Sequence, residues 1–385
     1  MSRQLPFTLG GLLPCHLSPQ VRALYWSSIL QNLALAMLIL FEPIYLWQQG
    51  FGLRGIVWFF LGVYVAYFLL APVGANFATQ KGFERSMVVS TLFQVIYYTC
   101  LFLIVQSWWF VLPAFIFYAL QKAFYWPAYH ADFARYADES EGGREVSGLS
   151  VALALVYVAG PVLAGFLLTI GSWSWLFIVG GIILLLSNWP LLKTPEVFVP
   201  RRFPYLAALA RLFTGNLRRP LLANLGFGEE LIIMILWPVF MYVVVVSYAT
   251  VGVVVAVSTF IMALVTLYIG KLTDVNNKKS VLRFATIIYV LSWLGRLIVA
   301  SPLGVFLVDA WSRITKSSVV VPLTALTYER ARRQSFMDTA VFFEMSLSLG
   351  KIIAAVLLLL IFTVTTSWGV IWLVAALMAM LYAAL

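Results

Sequence analysis

The chain has 385 residues, of which 63% are hydrophobic and only 10% are charged. Ordinary soluble domains carry about 25% charged and about 45–50% apolar residues, so this composition excludes a soluble enzyme, a DNA-binding domain and a disordered chain. The formal net charge is +10, which in a membrane protein reflects the orientation of its loops. With only two histidines and two cysteines, the sequence predicts no metal centre, no cofactor and no enzymatic site.

Continuous apolar segments, separated by charged and turn residues, predict membrane-spanning helices rather than the strands of a barrel. A span needs about 20 apolar residues, which leaves room for twelve helices. The predicted helices 1 to 12 cover residues 22–47, 56–77, 86–106, 108–129, 148–170, 173–191, 219–246, 249–270, 280–299, 303–326, 338–362 and 366–385. The predicted fold is an all-α integral membrane bundle of two six-helix halves, residues 22–191 and 219–385. A lead-in at 1–21 precedes them, and a basic linker at 192–218 joins them.

The lysines and arginines of the connecting segments lie almost entirely on one side of the predicted bundle. An even number of helices places both termini on that side, which holds 19 of these residues, whereas only Arg54 falls on the other side. Basic residues accumulate in cytoplasmic loops. The sequence therefore predicts a multi-pass protein, of a prokaryotic inner membrane, with the linker and both termini in the cytoplasm.

The two predicted halves share helix markers at one spacing of 195 residues. The matched pairs are Pro43 with Pro238, Pro127 with Pro322, and Ala75 with Gly270. Two similar halves with parallel topology predict pseudo-symmetry and a central cavity between the halves near the membrane midplane.

Several motifs resemble those of the major facilitator superfamily, and the resemblance covers nearly the whole chain. The stretch from Gly270 to Lys279 is similar to the family's GxLxDxxGRR-type loop, with Asp274 in the acidic position and Thr79 in that position of the first copy. Gly160-Pro161-x-x-Ala164-Gly165 resembles a helix 5 motif that is frequent in exporters. The resemblance implies alternating access, with the Asp274 loop packed under the start of helix 5. It also implies gating roles for Gly270, Asp274, Lys278, Lys279, Gly82, Arg85, Asp132, Arg135, Gly160 and Pro161.

Ten charged residues, five acidic and five basic, fall inside the predicted helices. Because each costs about 2.5–3.5 kcal/mol at the centre of a lipid-exposed helix, they must pair, reach an interface or face a wet cavity. Glu229 and Glu230 lie about half-way through helix 7, and we expect Glu230, with Glu229 as the alternative, to carry a proton. Glu344 of helix 11 is a further proton-coupling candidate. The opposing interpretation is that helix 7 begins later and both acids lie at the cytoplasmic interface.

Basic groups predict a site for an anionic group of the solute. Asp309 and Arg313 are one turn apart, either as a static salt bridge or as part of the site, and Lys316 is then a surplus base. Lys351 suits a switchable ion pair with the acids of helix 7, or a fixed contact between helices. Lys122 either faces the cavity or extends to the cytoplasmic interface.

The remaining polar residues of the helices divide into two groups. Glu42 and Arg296 lie near the outer ends of helices 1 and 9, and we expect both side chains to extend to the interface. Others are expected to line the cavity: Gln31, Asn32, Gln94, Gln121 and Tyr157.

Together these features predict a monomeric secondary transporter of a small or amphipathic, lipid-like solute. Proton coupling is expected from the acids of helices 7 and 11, and the exporter-like motif favours antiport. One alternative is an uncoupled facilitator or lipid flippase, which an imposed pH gradient would not drive. Another is a non-transporting receptor or scaffold on the same fold. Membrane lipid is an expected partner, and nucleic acid is not.

Overall fold

A computed structural model describes residues 19–136, 143–193, 200–275, 277–333 and 336–385. All regular elements in these ranges are helical, and we number the spans α1 to α12 as predicted. Their bounds are α1 Pro19–Leu38 with Glu42–Gln48, α2 Gly52–Lys81, α3 Phe83–Leu103, α4 Val111–Tyr136, α5 Gly143–Ile170, α6 Trp173–Leu192, α7 Arg218–Leu225 with Gly228–Val245, α8 Tyr248–Val275, α9 Lys278–Gly295, α10 Pro302–Arg333, α11 Phe336–Ile361 and α12 Trp368–Met380. A linker helix, Tyr205–Leu212, lies between α6 and α7.

Nine segments of the described chain are long and apolar enough to cross a membrane. The other three spans, α4, α10 and α12, do not meet that description. The reason in α10 is its charge, since Asp309, Arg313 and Lys316 lie within one span, whereas α12 is short. The predicted all-α membrane fold is confirmed, and the predicted count of twelve helices is consistent with the structure.

Two spans are interrupted, which the apolar pattern did not predict. The break in α1 at residues 39–41 precedes Pro43, which opens the second segment. Proline lacks an N–H and its ring clashes with the carbonyl four residues earlier. The break in α7 lies at Gly226–Phe227, so Glu229 and Glu230 fall in the first turn of the second segment. Pro238, the predicted counterpart of Pro43, lies inside continuous helix.

The most extensive contacts between the two halves of the chain are those of α5 with α8 and of α2 with α11, and α4 with α11 and α1 with α7 add smaller ones. The α5–α8 contact depends on glycine. A Cβ on Gly252 would lie 2.3 Å from the carbonyl oxygen of Pro161, and a Cβ on Gly165 would lie 2.6 Å from that of Tyr248. Small residues of this kind let helix backbones approach closely in membranes.

The bundle has two ends that differ in charge. We call the end with residues 82, 200–217 and 277 the basic end, and the end with residues 49–51, 104–107, 171–172 and 246–247 the opposite end. Hydrogen bonds tie the linker to α2 at the basic end, where the Phe203 N–H donates to Asn76 Oδ1 (3.0 Å) and the Arg201 N–H donates to the Thr79 carbonyl (3.0 Å).

Candidate transport cavity

A cavity of about 440 Å³ lies between the two halves, among α1, α5, α7, α8 and α10. Its wall is mainly apolar, with Met234, Trp237, Met241 and Met262 among the larger side chains. Polar side chains also line it: Tyr157, Glu230, Thr259, Ser312, Arg313 and Lys316. A mainly apolar pocket with a few polar groups is typical of small-molecule sites.

Glu230 is the acidic residue that lines this cavity. Its Oε2 lies 2.7 Å from Nζ of Lys351 on α11, and the Glu230 side chain is 28% exposed whereas that of Lys351 is 6% exposed. The partly exposed carboxylate can therefore exchange with water while its basic partner stays covered. This geometry agrees with the predicted pairing of Lys351 with an acid of helix 7.

Glu229 points away from the cavity into a closed cluster. Its side chain is fully buried and accepts hydrogen bonds from the hydroxyls of Tyr289 (2.6 Å) and Tyr382 (2.9 Å). Lys316 contacts the same carboxylate and donates to Tyr382 (2.6 Å). Both acids therefore lie inside the bundle, and their depth in the membrane stays a prediction. Lys316 is also not the surplus base that the sequence predicted, because Glu229 neutralises it.

Asp309 and Arg313 pair as predicted, with 2.7 Å between Arg313 Nε and Asp309 Oδ2. The Trp237 indole N–H donates to the other oxygen of Asp309 (2.9 Å), so this buried carboxylate has two donors. Arg313 nevertheless reaches the cavity, where its side chain is 27% exposed.

The expectation that Glu42 and Arg296 extend to the interface is wrong. Arg296 is 1% exposed and Glu42 is 2% exposed. The Arg296 guanidinium stacks on the rings of Trp293 (3.9 Å) and Trp237 (4.5 Å) and donates to Ser312 Oγ (2.8 Å). Tyr98 donates to Glu42 at 3.5 Å. Aromatic neighbours bury these charges, a packing that helical periodicity does not predict.

Lys122 of α4 also stays inside the bundle, at 7% exposed. Its Nζ lies 4.3 Å from the centroid of the Tyr118 ring and 5.6 Å from that of Tyr64. Of the two interpretations that the sequence left open, the extension to the interface is excluded.

Glu344 joins the two halves instead of pairing with Lys351. Its Oε2 accepts from the hydroxyl of Tyr67 on α2 (2.7 Å), and its Oε1 lies 2.9 Å from Nε2 of His130 on α4. Sequence reasoning set His130 aside because histidines are few. A signal was present, since His130 lies eight residues after Lys122 and therefore on the same face of α4.

The predicted polar residues of the first half do not come together. The Tyr157 hydroxyl donates to Asn32 Oδ1 (2.6 Å), and of these two Tyr157 lines the cavity. Gln31, Gln94 and Gln121 are buried, outside the set of residues that line it. Within the described part of the chain, Gln31 Nε2 and Gln94 Oε1 have no hydrogen-bond partner.

The predicted gating residues occupy several environments. Gly160 packs against Ala36 of α1, and Pro161 contacts Gly252 of α8. Gly82 has φ +108°, which favours glycine. Lys278 pairs with Glu329, and the Lys279 N–H donates to Asn277 Oδ1 (3.0 Å). Arg85 is exposed, Asp132 is buried, and the space beside Gly270 is open. The side chains of Asp274 and Arg135 lie outside the described residues, so the predicted contact of the Asp274 loop stays a prediction.

Contacts between the halves are present toward both ends of the cavity. At the opposite end, Gln48 of α1 donates to the Tyr242 hydroxyl of α7 (2.9 Å) and contacts the Tyr248 hydroxyl of α8. Within its own half, Gln48 accepts from the Trp173 indole N–H of α6 (3.0 Å). Arg54 of α2 also contacts the carbonyl of Phe362, after α11. Toward the basic end the halves meet through Tyr67, Glu344 and His130.

Residues 24–225 match the family model of the Major Facilitator Superfamily. The match spans just over half of the chain, and the chain therefore belongs to this superfamily, as predicted. The crystal structure of a D-xylose-proton symporter aligns with a TM-score of 0.71 over 94% of this chain and 96% of that chain. At 11% sequence identity, this similarity shows a shared fold alone. A comparison with curated proteins gave no match. Membership of this superfamily indicates membrane transport of small molecules.

Proposed function

We propose that this protein is a proton-coupled secondary transporter of a small amphipathic solute, with Glu230 as the proton-binding group. The observation that carries the proposal is the Glu230–Lys351 pair, 2.7 Å apart, at the edge of the cavity. An ionised Glu230 is held by Lys351, whereas a protonated Glu230 releases it. Protonation of Glu230 therefore changes the charge of the cavity wall and with it the affinity for the solute. A difference in affinity of this kind couples the binding of the proton to the binding of the solute.

Alternating access would couple these two states to opposite sides of the membrane. The halves of the chain, residues 22–191 and 219–385, would rock about the cavity, because α5–α8 and α2–α11 supply the most extensive contacts between them. The contact of Gln48 with Tyr242 at one end, and the contacts of Glu344 with Tyr67 and His130 toward the other end, would then break in turn.

Amphipathic solutes fit the cavity because one part of its wall is apolar and another part is charged. Methionine and tryptophan form an apolar surface that adapts to different shapes, while Glu230, Arg313 and Lys316 place charge at one side. A volume of about 440 Å³ is within the range of small-molecule pockets, about 300–1,000 Å³.

The test is flux in liposomes that contain the purified protein and a pH-sensitive dye. With a panel of solutes, Glu230→Gln should abolish flux driven by a pH gradient but keep solute exchange, because a carrier that cannot ionise can still swap solute. Glu329→Gln, at a half-exposed carboxylate that pairs with Lys278, is the matched control and should keep both modes.

Gradient-driven flux that survives in Glu230→Gln would overturn the proposal. Wild-type flux that ignores the gradient would identify the uncoupled facilitator or flippase. The same assay measures direction: solute entry that acidifies the lumen indicates symport, and solute entry that expels protons indicates the antiport that the helix 5 motif favours.

We also propose that the basic end faces the cytoplasm, as the distribution of lysine and arginine predicts. A cysteine at position 202 should resist an impermeant thiol reagent in sealed cells, and one at position 54 should react. Both parent arginines have exposed side chains. Reaction at position 202 alone would reverse the orientation.

A further inference from the structure

We infer that the solute carries an anionic group, a carboxylate or a phosphate, which binds between Lys122 of α4 and Lys351 of α11. The inference rests on the proposed function and names the substrate class of the same transporter.

Lys122 is a buried base that forms no direct ion pair with a carboxylate of the described residues. It is 7% exposed, and no carboxylate of the described residues lies within 4 Å of its Nζ. Taking an ammonium out of water carries a large desolvation cost, and contacts with aromatic rings offset only part of it. An anion that reached Lys122 would supply the missing partner.

A second base from the other half of the chain faces the same aromatic ring. Nζ of Lys351 lies 4.9 Å from the centroid of Tyr64, and Nζ of Lys122 lies 5.6 Å from it. The two nitrogens are therefore at most about 10.5 Å apart, which is the sum of these distances. One anionic group that contacts both bases would attract the two halves toward each other. Binding would in this way favour the occluded state.

Glu230 competes with such an anion for Lys351. The charged or titratable groups that face Glu230 are Lys351 of α11, Lys316 of α10, Lys122 of α4 and Tyr382, which follows α12. Lys316 is paired with Glu229 and Arg313 with Asp309. The bases left for a solute are therefore Lys122, and Lys351 once Glu230 is protonated, although neither lysine is among the residues that line the cavity. An anion at Lys351 would repel the Glu230 carboxylate.

Anion binding therefore favours uptake of a proton by Glu230 from the aqueous phase. The carboxylate becomes a neutral carboxylic acid, and the solute anion replaces it beside Lys351, so the charge of the site is unchanged. Anion and proton then cross together. This assignment predicts symport, in contrast to the antiport that the helix 5 motif favours.

The experiment measures binding of four probes that share one ring and differ in charge. Benzoate and phenyl phosphate are the anions, benzylamine is the cation, and benzyl alcohol is neutral. The protein is the full chain in lipid nanodiscs, and the readouts are the thermal midpoint, which a ligand of the folded state raises, and calorimetric affinity at pH 6 and pH 8. The anions should raise the midpoint, more at pH 6, and the other two should not.

Variants locate the site. Lys122→Gln should weaken anion binding at least 10-fold, and Lys122→Arg should restore most of it. Lys193→Gln is the matched control, because Lys193 is an exposed lysine whose Nζ also lies over an aromatic ring, 4.6 Å from the centroid of Trp189. The affinity of Lys193→Gln for the anions should equal that of the wild type. Glu230→Gln should bind the anions at pH 8 as tightly as the wild type does at pH 6.

Three results would overturn the inference: no binding of either anion, equal binding of benzylamine, or anion binding that Lys122→Gln leaves intact. If Lys122→Gln does not fold, Lys122→Met takes its place under the same criteria, because it keeps the apolar contacts with both tyrosine rings. Anion binding that requires Lys122, together with flux that ignores a pH gradient, would retain the anion site and reject proton coupling.

Discussion

The two halves of the chain treat buried charge in different ways. In the C-terminal half, three carboxylates each have a basic partner from the same half, in the pairs Glu229–Lys316, Glu230–Lys351 and Asp309–Arg313. In the N-terminal half, Lys122 and Glu42 are equally buried. Among the described residues, neither has an oppositely charged partner within 4 Å.

Tyrosines take the place of ion pairs in the N-terminal half. Lys122 lies against Tyr64 and Tyr118, and Glu42 accepts from Tyr98. The C-terminal half thus holds three ion pairs, with Arg296 stacked on tryptophan rings beside them, whereas Lys122 of the N-terminal half lies against tyrosine rings. The comparison shows that two halves of one fold can accommodate buried charge differently. Helix packing fixes the backbone but does not fix which polar side chains are buried.

The largest expected effect comes from breaking the C-terminal network. Glu229→Ala leaves Lys316 buried without its carboxylate, and removal of one partner of a buried pair costs about 3–5 kcal/mol. The thermal midpoint in nanodiscs should fall sharply. The double variant Glu229→Leu with Lys316→Met should recover most of the loss, because no unpaired charge remains. Glu329→Ala, at a half-exposed pair, should cost under about 1 kcal/mol. A small effect of Glu229→Ala would contradict the network.

The matching change in the N-terminal half should have the opposite sign. Lys122→Met removes a buried charge and leaves no carboxylate unpaired, so the thermal midpoint should hold or rise by the equivalent of about 1 kcal/mol. Lys316→Met should instead lower the midpoint, because Glu229 loses its base. Equal losses in the two variants would remove the difference between the halves.

A smaller effect is expected where the halves touch. Gly252→Ala places a methyl group against the Pro161 carbonyl, and overpacking of this kind costs about 1–3 kcal/mol. The population should shift away from the state that is closed at the opposite end. Spin labels at Gln49 and Val364 would report this as a longer distance. Gly181→Ala is the control, since nothing lies within 4 Å of its added methyl group, and its distance distribution should match that of the wild type.

The smallest effect should come from one polar contact at the same end. Gln48→Leu removes the hydrogen bonds to Tyr242 and Tyr248 of the other half. Because both bonds are exposed, each contributes at the low end of the usual range, about 0.5 kcal/mol. The same label pair should show a modest shift in the same direction. Gln80→Leu provides the comparison, because Gln80 bonds to Asn76 within α2. An unchanged distribution in Gln48→Leu would show that this cluster does not hold the end closed.

Much of the fold could be predicted from local sequence. Apolar run length predicted the spans to within a few residues in most helices, for example 338–362 against Phe336–Ile361. Predictions failed where helices continue beyond the apolar run, as α10 does to Arg333, because a polar helix end remains helical outside the hydrocarbon. They also failed at the breaks of α1 and α7, because the predicted apolar spans run without interruption through residues 39–41 and through Gly226–Phe227.

The sequence predicted which residues belong to the candidate site better than it predicted their contact partners. Glu230, Lys316 and Arg313 line the cavity, and their depth follows from their position along each helix. The partner of Glu344 could not be obtained in this way, because His130 is distant in sequence. Nor could the burial of Arg296, which depends on Trp237 and Trp293 from two different helices.

The sequence by itself determined that this protein is a helical membrane bundle of the major facilitator superfamily with charges deep inside it. Composition and the length of apolar runs are local properties, and the membrane imposes them directly. Apart from Asp309 and Arg313, which are one turn apart on one helix, tertiary structure decided which charges pair. Helical periodicity sets the depth and face of a side chain, but the rotation and approach of neighbouring helices set its partner. Packing therefore brings Lys351 to Glu230 and Lys316 to Glu229, and leaves Lys122 among tyrosine rings.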